Sequence, residues 1–128
     1  MSIRDDIYTK LSGTAAITAL VALRIYPNIL APKAVMPAIS FRQISDIQVH
    51  VMGTDSGPYR PRYQIDIWGK TYEDVENIAD QVKLALRDFT GTMGDSTVQR
   101  IFFEDEIDLY EQTSERQHIA QDYIIWYE

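Results

Sequence analysis

The chain has 128 residues, enough for one compact domain and too few for a second. With 45% apolar residues, six Gly and five Pro it is not a disordered chain, and with no cysteine it holds no disulfide scaffold, thiolate metal site, iron–sulfur cluster or cysteine nucleophile. Twelve Lys and Arg against nineteen Asp and Glu leave a charge of −7, the wrong sign for gripping nucleic acid but no obstacle to letting DNA pass.

The start, Met1-Ser2-Ile3-Arg4-Asp5-Asp6, lacks the basic opening and apolar core of a secretory signal, which predicts a soluble chain made in a cytoplasm. Ser2 with Asp5 makes an acidic capping box, and Ile3, Ile7 and Leu11 recur at helical spacing until Gly13. A first helix is expected over roughly residues 3 to 12. Thr14 can cap a second short turn through Leu20, and Thr14 to Leu23 falls far short of the about 18 apolar residues a membrane span needs. Arg24-Ile25-Tyr26-Pro27 reads as a brief strand, after which Pro27, Pro32 and Pro37 punctuate a loop.

From Ala38 the pattern turns to period two. Ile39 and Phe41 share one parity, Ile44 breaks it, and Ile47, Val49 and Val51 resume it, as a β-bulge would arrange. Turn formers at residues 53–58 make a long hairpin tip, and Tyr63, Ile65 and Ile67 then alternate with Arg62, Gln64, Asp66 and Trp68 in the returning strand. Tyr72 to Phe89 is the strongest helix, because Val75, Ile78, Ala79, Val82, Ala85, Leu86 and Phe89 fall on one stripe. Thr71 with Asp74 caps it, Glu73 and Glu76 suit its positive end, Lys83 and Arg87 its negative end, and Gly91 marks its exit.

Two strands close the chain, about Val98 to Tyr110 and Arg116 to Tyr127, joined by the polar run 111–115. In the first, Ile101, Phe103, Ile107 and Leu109 oppose Arg100, Glu104, Glu106 and Asp108, with Phe102 and Asp105 out of pattern. The order α, short turn, short β, β, β, α, β, β predicts one α+β domain over residues 1–128. Its sheet is expected to be mainly antiparallel, covered on one face by a long amphipathic helix and an N-terminal helix.

The residue types offer little chemistry. No G-x-S-x-G turn presents a serine, so His50 and His118 read as ordinary surface or sheet residues and no catalytic residue is assigned. On a strand Glu104, Glu106 and Asp108 share a face at intervals of about 6.8 Å, too wide to clasp one ion, so they read as a solvated or channel-facing acidic strip and no metal or cofactor is expected. Gly91-Thr92-Met93-Gly94 follows a helix and lacks a P-loop lysine, which makes it a helix exit and turn. Arg60 and Arg62 with Tyr59 and Tyr63 form the one basic and aromatic cluster, a partner-protein contact or sheet edge in so acidic a chain. Trp68 has outward parity, and Tyr123-Ile124-Ile125-Trp126-Tyr127 is apolar on both parities. Such a strand is either central in a layered core or covered on its second face by another subunit, and in so small a domain the subunit is favoured. Trp68, Tyr123, Ile125 and Trp126 are therefore the interface candidates.

Several segments together resemble the tail-completion, or tail-to-head joining, proteins of long-tailed phages and prophages. They are Leu23-Arg24-Ile25-Tyr26-Pro27 after the N-terminal helix, Met36-Pro37-Ala38-Ile39-Ser40-Phe41, Arg62 to Gly69 running into Thr71-Tyr72-Glu73-Asp74-Val75, and the closing Gln117 to Trp126. The resemblance implies a tail-terminator-like fold with order α-β-β-β-α-β-β. It also implies a non-enzymatic role: a ring, usually of six subunits, that completes the tail tube and offers a docking surface to the head connector, with DNA as passing cargo. It would assemble in the host cytoplasm and end in the virion. A ring needs heterologous contacts, which the Trp68 face and the last strand could supply, and an acidic bore, for which Glu104, Glu106 and Asp108 are the candidates. Thr54, Asp55, Ser56, Gly57 and Tyr59 at the hairpin tip are candidates for docking on tube or connector. The alternatives are a small dimeric ligand-binding or regulatory α+β domain, or another neck or baseplate component.

Overall fold

The computed structural model describes residues 3–22, 24–27, 35–47, 58–94, 96–111 and 116–127. Expectations placed on Ser2, Pro32, Val49, His50, Val51, Thr54, Asp55, Ser56, Gly57 and the 112–115 run lie outside these residues. In chain order the elements are α1 (Ile3–Ser12), α2 (Ala15–Val21), β1 (Ile25–Pro27), β2 (Ala38–Ser45), β3 (Arg62–Gly69), α3 (Tyr72–Leu86), β4 (Gly91–Met93), β5 (Ser96–Glu111) and β6 (Arg116–Tyr127).

The six strands form one sheet in the order β1-β2-β3-β6-β5-β4. Four of the five pairings are antiparallel, but β1 pairs parallel to β2, so the sheet is mixed rather than simply antiparallel. Two further elements refine the expected order. The Ala-rich turn is a true short helix, α2, and the Gly91-Thr92-Met93 segment, expected only as a turn, pairs with Val98-Thr97-Ser96 as a hairpin. Neither a three-residue strand nor its direction leaves a periodic signal in the sequence.

One face of the sheet carries the core. Ile39 and Phe41 of β2, Tyr63, Ile65 and Ile67 of β3, Ile119, Tyr123 and Ile125 of β6 and Ile101 of β5 are buried there, opposite Val75, Ile78, Ala79, Val82 and Leu86 of α3. Cross-strand register makes the layer continuous, since Ile39 lies opposite Ile67 and Ile67 opposite Ile119, with Phe41, Ile65 and Gln121 in the adjacent row. Gln121 interrupts that apolar row to reach the helix: its amide donates to the Ala79 carbonyl at 3.1 Å. Each large side chain buried this way contributes up to about 1.5–3 kcal/mol, so the α3 stripe dominates the energetics of the fold.

The helix ends are set by identifiable hydrogen bonds. At the start of α3, Thr71 Oγ1 accepts from the Asp74 amide at 3.2 Å, the expected cap. The helix stops at Leu86, three residues before the end of its apolar stripe, because the chain is drawn to β5: the Asp88 amide donates to the Ile101 carbonyl and the Ile101 amide to the Phe89 carbonyl. Asp88 adopts a left-handed φ of 61° at this turn, and Gly91, expected at the helix exit, belongs instead to β4. Thr14 precedes α2, but its hydroxyl donates back to the Lys10 carbonyl at 2.7 Å instead of capping. α1 is tied to the sheet by Asp6, which is buried and accepts a hydrogen bond from Ser96; a side chain at Gly94, where φ is 61°, would collide with that carboxylate.

Three bulges adjust the strands. Ile44 sits at a register shift between Gln43 and Ser45, where the broken alternation places it, and β5 has shifts between Val98 and Arg100 and between Phe103 and Asp105. Ile78→Asp places an unpaired charge at the centre of the α3 contact and is expected to unfold the protein. Ile78→Ala should cost about 2–5 kcal/mol, read from urea denaturation followed by circular dichroism.

Candidate functional site

The second bulge of β5 decides what each face of that strand presents. Before it, Ile101 and Phe103 lie opposite Ile125 and Tyr123 on the helix side. After it, Glu106 and Asp108 take that side, opposite Gln121 and Ile119, while Ile107 and Leu109 lie opposite Ala120 and His118 on the other face. The expected single apolar face of Ile101, Phe103, Ile107 and Leu109 is therefore split in two. The acidic run is split as well: Glu106 and Asp108 stay together, and Glu104 falls at the bulge, out of register with both.

On the helix side the acids are engaged by α3. Tyr72 donates its hydroxyl to Asp108 Oδ2 at 2.8 Å, and Lys83 Nζ lies 3.4 Å from Glu106 Oε2. Glu106 Oε1 accepts from Gln121 at 2.9 Å, and Gln121 Oε1 accepts from the buried Tyr123 hydroxyl at 2.9 Å. Lys83 also sits 4.9 Å above the Phe103 ring, which meets Tyr123 edge-on. This network runs from the Tyr123 phenol through Gln121 to the exposed Glu106 carboxylate and Lys83, and the Tyr72–Asp108 bond is a separate tie between α3 and β5. Among the described residues no three His, Asp or Glu side chains form a metal-ligand set.

The opposite face of the sheet has no helix over it among the described residues. Its centre is a polar cluster in which Asp66 Oδ1 accepts from Gln64 at 2.7 Å and from His118 Nε2 at 2.8 Å. Trp68 stacks on His118 with ring centroids 3.9 Å apart and donates its indole N–H to Ser40 Oγ at 3.1 Å. Asp66, His118 and Ser40 are buried by this arrangement, so His118 is more than a surface residue: it packs Trp68 against the sheet. Around the cluster lie Ile124 and Trp126, half-buried, and Phe102, Ile107 and Leu109, which are 42%, 49% and 47% exposed.

The expected interface residues separate along the same lines. Trp68 and Trp126 are on this open face, whereas Tyr123 and Ile125 are buried in the protein's own core beneath α3. β6 is flanked by β3 and β5, and of its two apolar parities one packs under α3 while the other, with Ile124 and Trp126, lies on the open face. The basic and aromatic cluster also divides: Tyr63 is in the core, Arg62 pairs with Asp122 at 3.4 Å, Arg60 lies 5.6 Å from the Trp126 ring and Tyr59 stacks on Tyr127. Tyr59 is held by paired backbone hydrogen bonds to Tyr127, so this end of the expected hairpin tip is anchored to the sheet. Gln121 and Asp6 escaped sequence reasoning, because a polar residue at a core-facing position has no signature apart from breaking an alternation, and the Asp66–His118 pair escaped it because its members meet only across paired strands.

The family model described as tail completion protein gp17 matches residues 5–128. The chain belongs to that family. It is accordingly a structural component of phage-type tails. Among solved structures, a chain of the virion of a native gene transfer agent particle superposes with a TM-score of 0.79 at 12% identity, covering 99% of this chain and 95% of that one. At that identity the likeness is one of fold, and the whole α+β arrangement is shared. No curated protein sequence matches the chain.

Burial raises the Tyr63, Tyr123 and Tyr127 phenols above the ordinary value, and Tyr72 is raised because it donates to the Asp108 carboxylate. The folded state thus favours the neutral phenol, while unfolded tyrosine ionises near pH ~10. Stability from these groups is complete below about pH 10 and lost as pH rises towards the folded values. The urea midpoint should fall steeply above about pH 10, and Tyr123→Phe should flatten that fall while costing about 1 kcal/mol at neutral pH for the lost hydrogen bond to Gln121.

Proposed function

We infer that this protein completes the tail tube and joins it to the head as a ring, six copies by family resemblance, through which DNA passes. The observation that carries the reading is the match to the tail-completion family over residues 5–128, which leaves no part of the chain for a separate activity. Assembly in the host cytoplasm and incorporation at the head-tail junction follow from it, with the tube protein and head connector as partners. The role is mechanical, with no cofactor and no catalytic residue.

The architecture suits such a ring. Among the described residues one sheet face is packed by helices and the other is open, so a subunit can present an inner and an outer surface without a second domain. Trp68 and Trp126 remain candidates for partner contact on the open face. Acidic side chains in a bore repel phosphate at close range and keep sliding friction low. For Glu106 and Asp108 to line it, the helix-bearing side of β5 has to turn towards the axis, because both project to the side of α3. Glu104 is free of that condition, since the bulge takes it out of their row.

Electron microscopy of particles produced without this protein tests the assignment: full heads separate from unjoined or overlong tails are expected, and normal virions would refute it. Deleting residues 54–57 should leave the circular dichroism spectrum and thermal midpoint nearly unchanged while abolishing head-tail joining. Intact joining would remove the docking role from Thr54, Asp55, Ser56 and Gly57.

A further inference from the structure

Both edges of the sheet are covered only in part. β4 pairs with Ser96-Thr97-Val98 at the start of β5, and the Asp88–Phe89 backbone covers Ile101. Beyond Ile101 no strand meets the outer edge of β5 among the described residues. At the other end, the three-residue β1 covers Ile39-Ser40-Phe41 of β2 and leaves Arg42 to Ser45 without an outer neighbour among the described residues. An uncovered strand edge offers a row of backbone donors and acceptors to another strand.

The chemistry of the β5 edge selects its occupant. Glu104, Asp105, Glu106 and Asp108 are all exposed along it, so pairing the edge with its own copy would set acid against acid. Those charges and the bulge are the devices that keep an open edge from indiscriminate pairing. They leave it selective for a strand that brings positive charge. The opposite edge of the same chain does so: Arg42 is exposed on β2, Arg24 immediately precedes β1, and the acids nearby, Asp5 and Asp46, lie on α1 and beyond the end of β2.

Strand direction agrees. β2, β3, β6 and β5 run alternately, so β5 is antiparallel to β2, and β1 is parallel to β2. A second copy placed beside the first in the same orientation therefore brings its β1–β2 edge antiparallel to β5, the better-bonded arrangement, with both open faces on one side. On that side Ile107 and Leu109 of one copy would meet Tyr26 and Arg42 of the next, because Tyr26 lies opposite Ser40 and Arg42 opposite Gln64 on the open face. Repeating such a head-to-tail contact about an axis along the strands closes a ring.

We propose that the open edge of β5 from Phe103 to Leu109 is the docking site for the β1–β2 edge of a second copy, joined by main-chain pairing, by Ile107 and Leu109 against Tyr26, and by Asp105, which lies on the open face opposite Asp122, against Arg42. The inference rests on the ring reading and adds to it the two surfaces that meet. It leaves Glu106 and Asp108 on the helix side, bonded to α3, and uses the other face of the same strand for assembly.

The absence of cysteine makes the test direct. Ile107→Cys combined with Tyr26→Cys should give a ladder of disulfide-linked multimers on oxidation, in purified protein and in assembled particles, while each single variant gives none. Ile107→Lys sets a cation against Arg42, and Arg42→Glu sets acid against acid. Each should raise the protein concentration needed for assembly by about tenfold or more in native mass measurement, with unchanged circular dichroism, and the Ile107→Lys/Arg42→Glu pair should restore it. A ring of normal mass in both single variants, with no ladder in the cysteine pair, would place the interface elsewhere and overturn the inference while the ring stands. A wild-type protein that is monomeric in solution and present as one copy per particle would overturn the ring reading and this inference together.

Discussion

Everything in this molecule depends on one contact layer, the apolar stripe of α3 laid across β3 and β6. Val75, Ile78, Ala79, Val82 and Leu86 meet the buried side chains of the two central strands, and the Gln121 amide pins the middle of the helix through the Ala79 carbonyl. The remaining helices pack around this layer. A six-stranded sheet that, among the described residues, is covered on one face only must manage its other face and its two edges by different means. Here the open face is partly closed by its own polar cluster, in which His118 and Trp68 lie flat on one another over Asp66 and Ser40. Among the described residues the rest of that face and parts of both edges stay uncovered.

That economy suits a protein whose work is to hold other proteins in place. A cleft of about 540 Å3 lies open between α1 and β1, lined by Arg4, Tyr8, Ile25, Tyr26, Pro27 and Phe41 among others. A subunit of an assembly needs rigid surfaces in fixed relation, and a single sheet with a helix clamped to it provides them. The buried polar groups serve the same end. Asp6 ties α1 to the β4–β5 turn, and Gln121 links Tyr123 to Glu106, so no buried side-chain nitrogen or oxygen among the described residues is left without a partner.

Most of the fold was legible because its main elements are strongly periodic. α3, β3 and β6 each carry an apolar repeat matching their geometry, and the bounds of α1 and β6 coincide with the helical spacing from Ile3 and the apolar and polar run from Arg116. The broken alternation at Ile44 marked a real bulge. Reading failed where position depends on contacts remote in sequence. Tyr123 and Ile125 suggested a partner surface because both parities of β6 are apolar, and only the position of α3 shows which parity is the buried one. Phe102 and Asp105 signalled a disturbance in β5, but periodicity alone does not say on which side of a bulge the pattern reverses. The interface candidates were legible only as a set: Trp68 and Trp126 could be told from Tyr123 and Ile125 only once the faces were known.

The bulge at Phe103–Asp105 acts as a phase shift in a wave of period two. Upstream of it β5 feeds the core with Ile101 and Phe103; downstream the same odd-numbered apolar positions emerge on the opposite side and the acids turn towards α3. Were the same residues paired one for one through that point, the strand would keep its length and composition, yet Ile107 and Leu109 would point at the helix and Glu106 and Asp108 would point away from it. The division of labour between the two faces of this strand is therefore carried by a count of residues rather than by their identity. Loss of the bulge alone would exchange an apolar outer surface for an acidic one without altering a side chain.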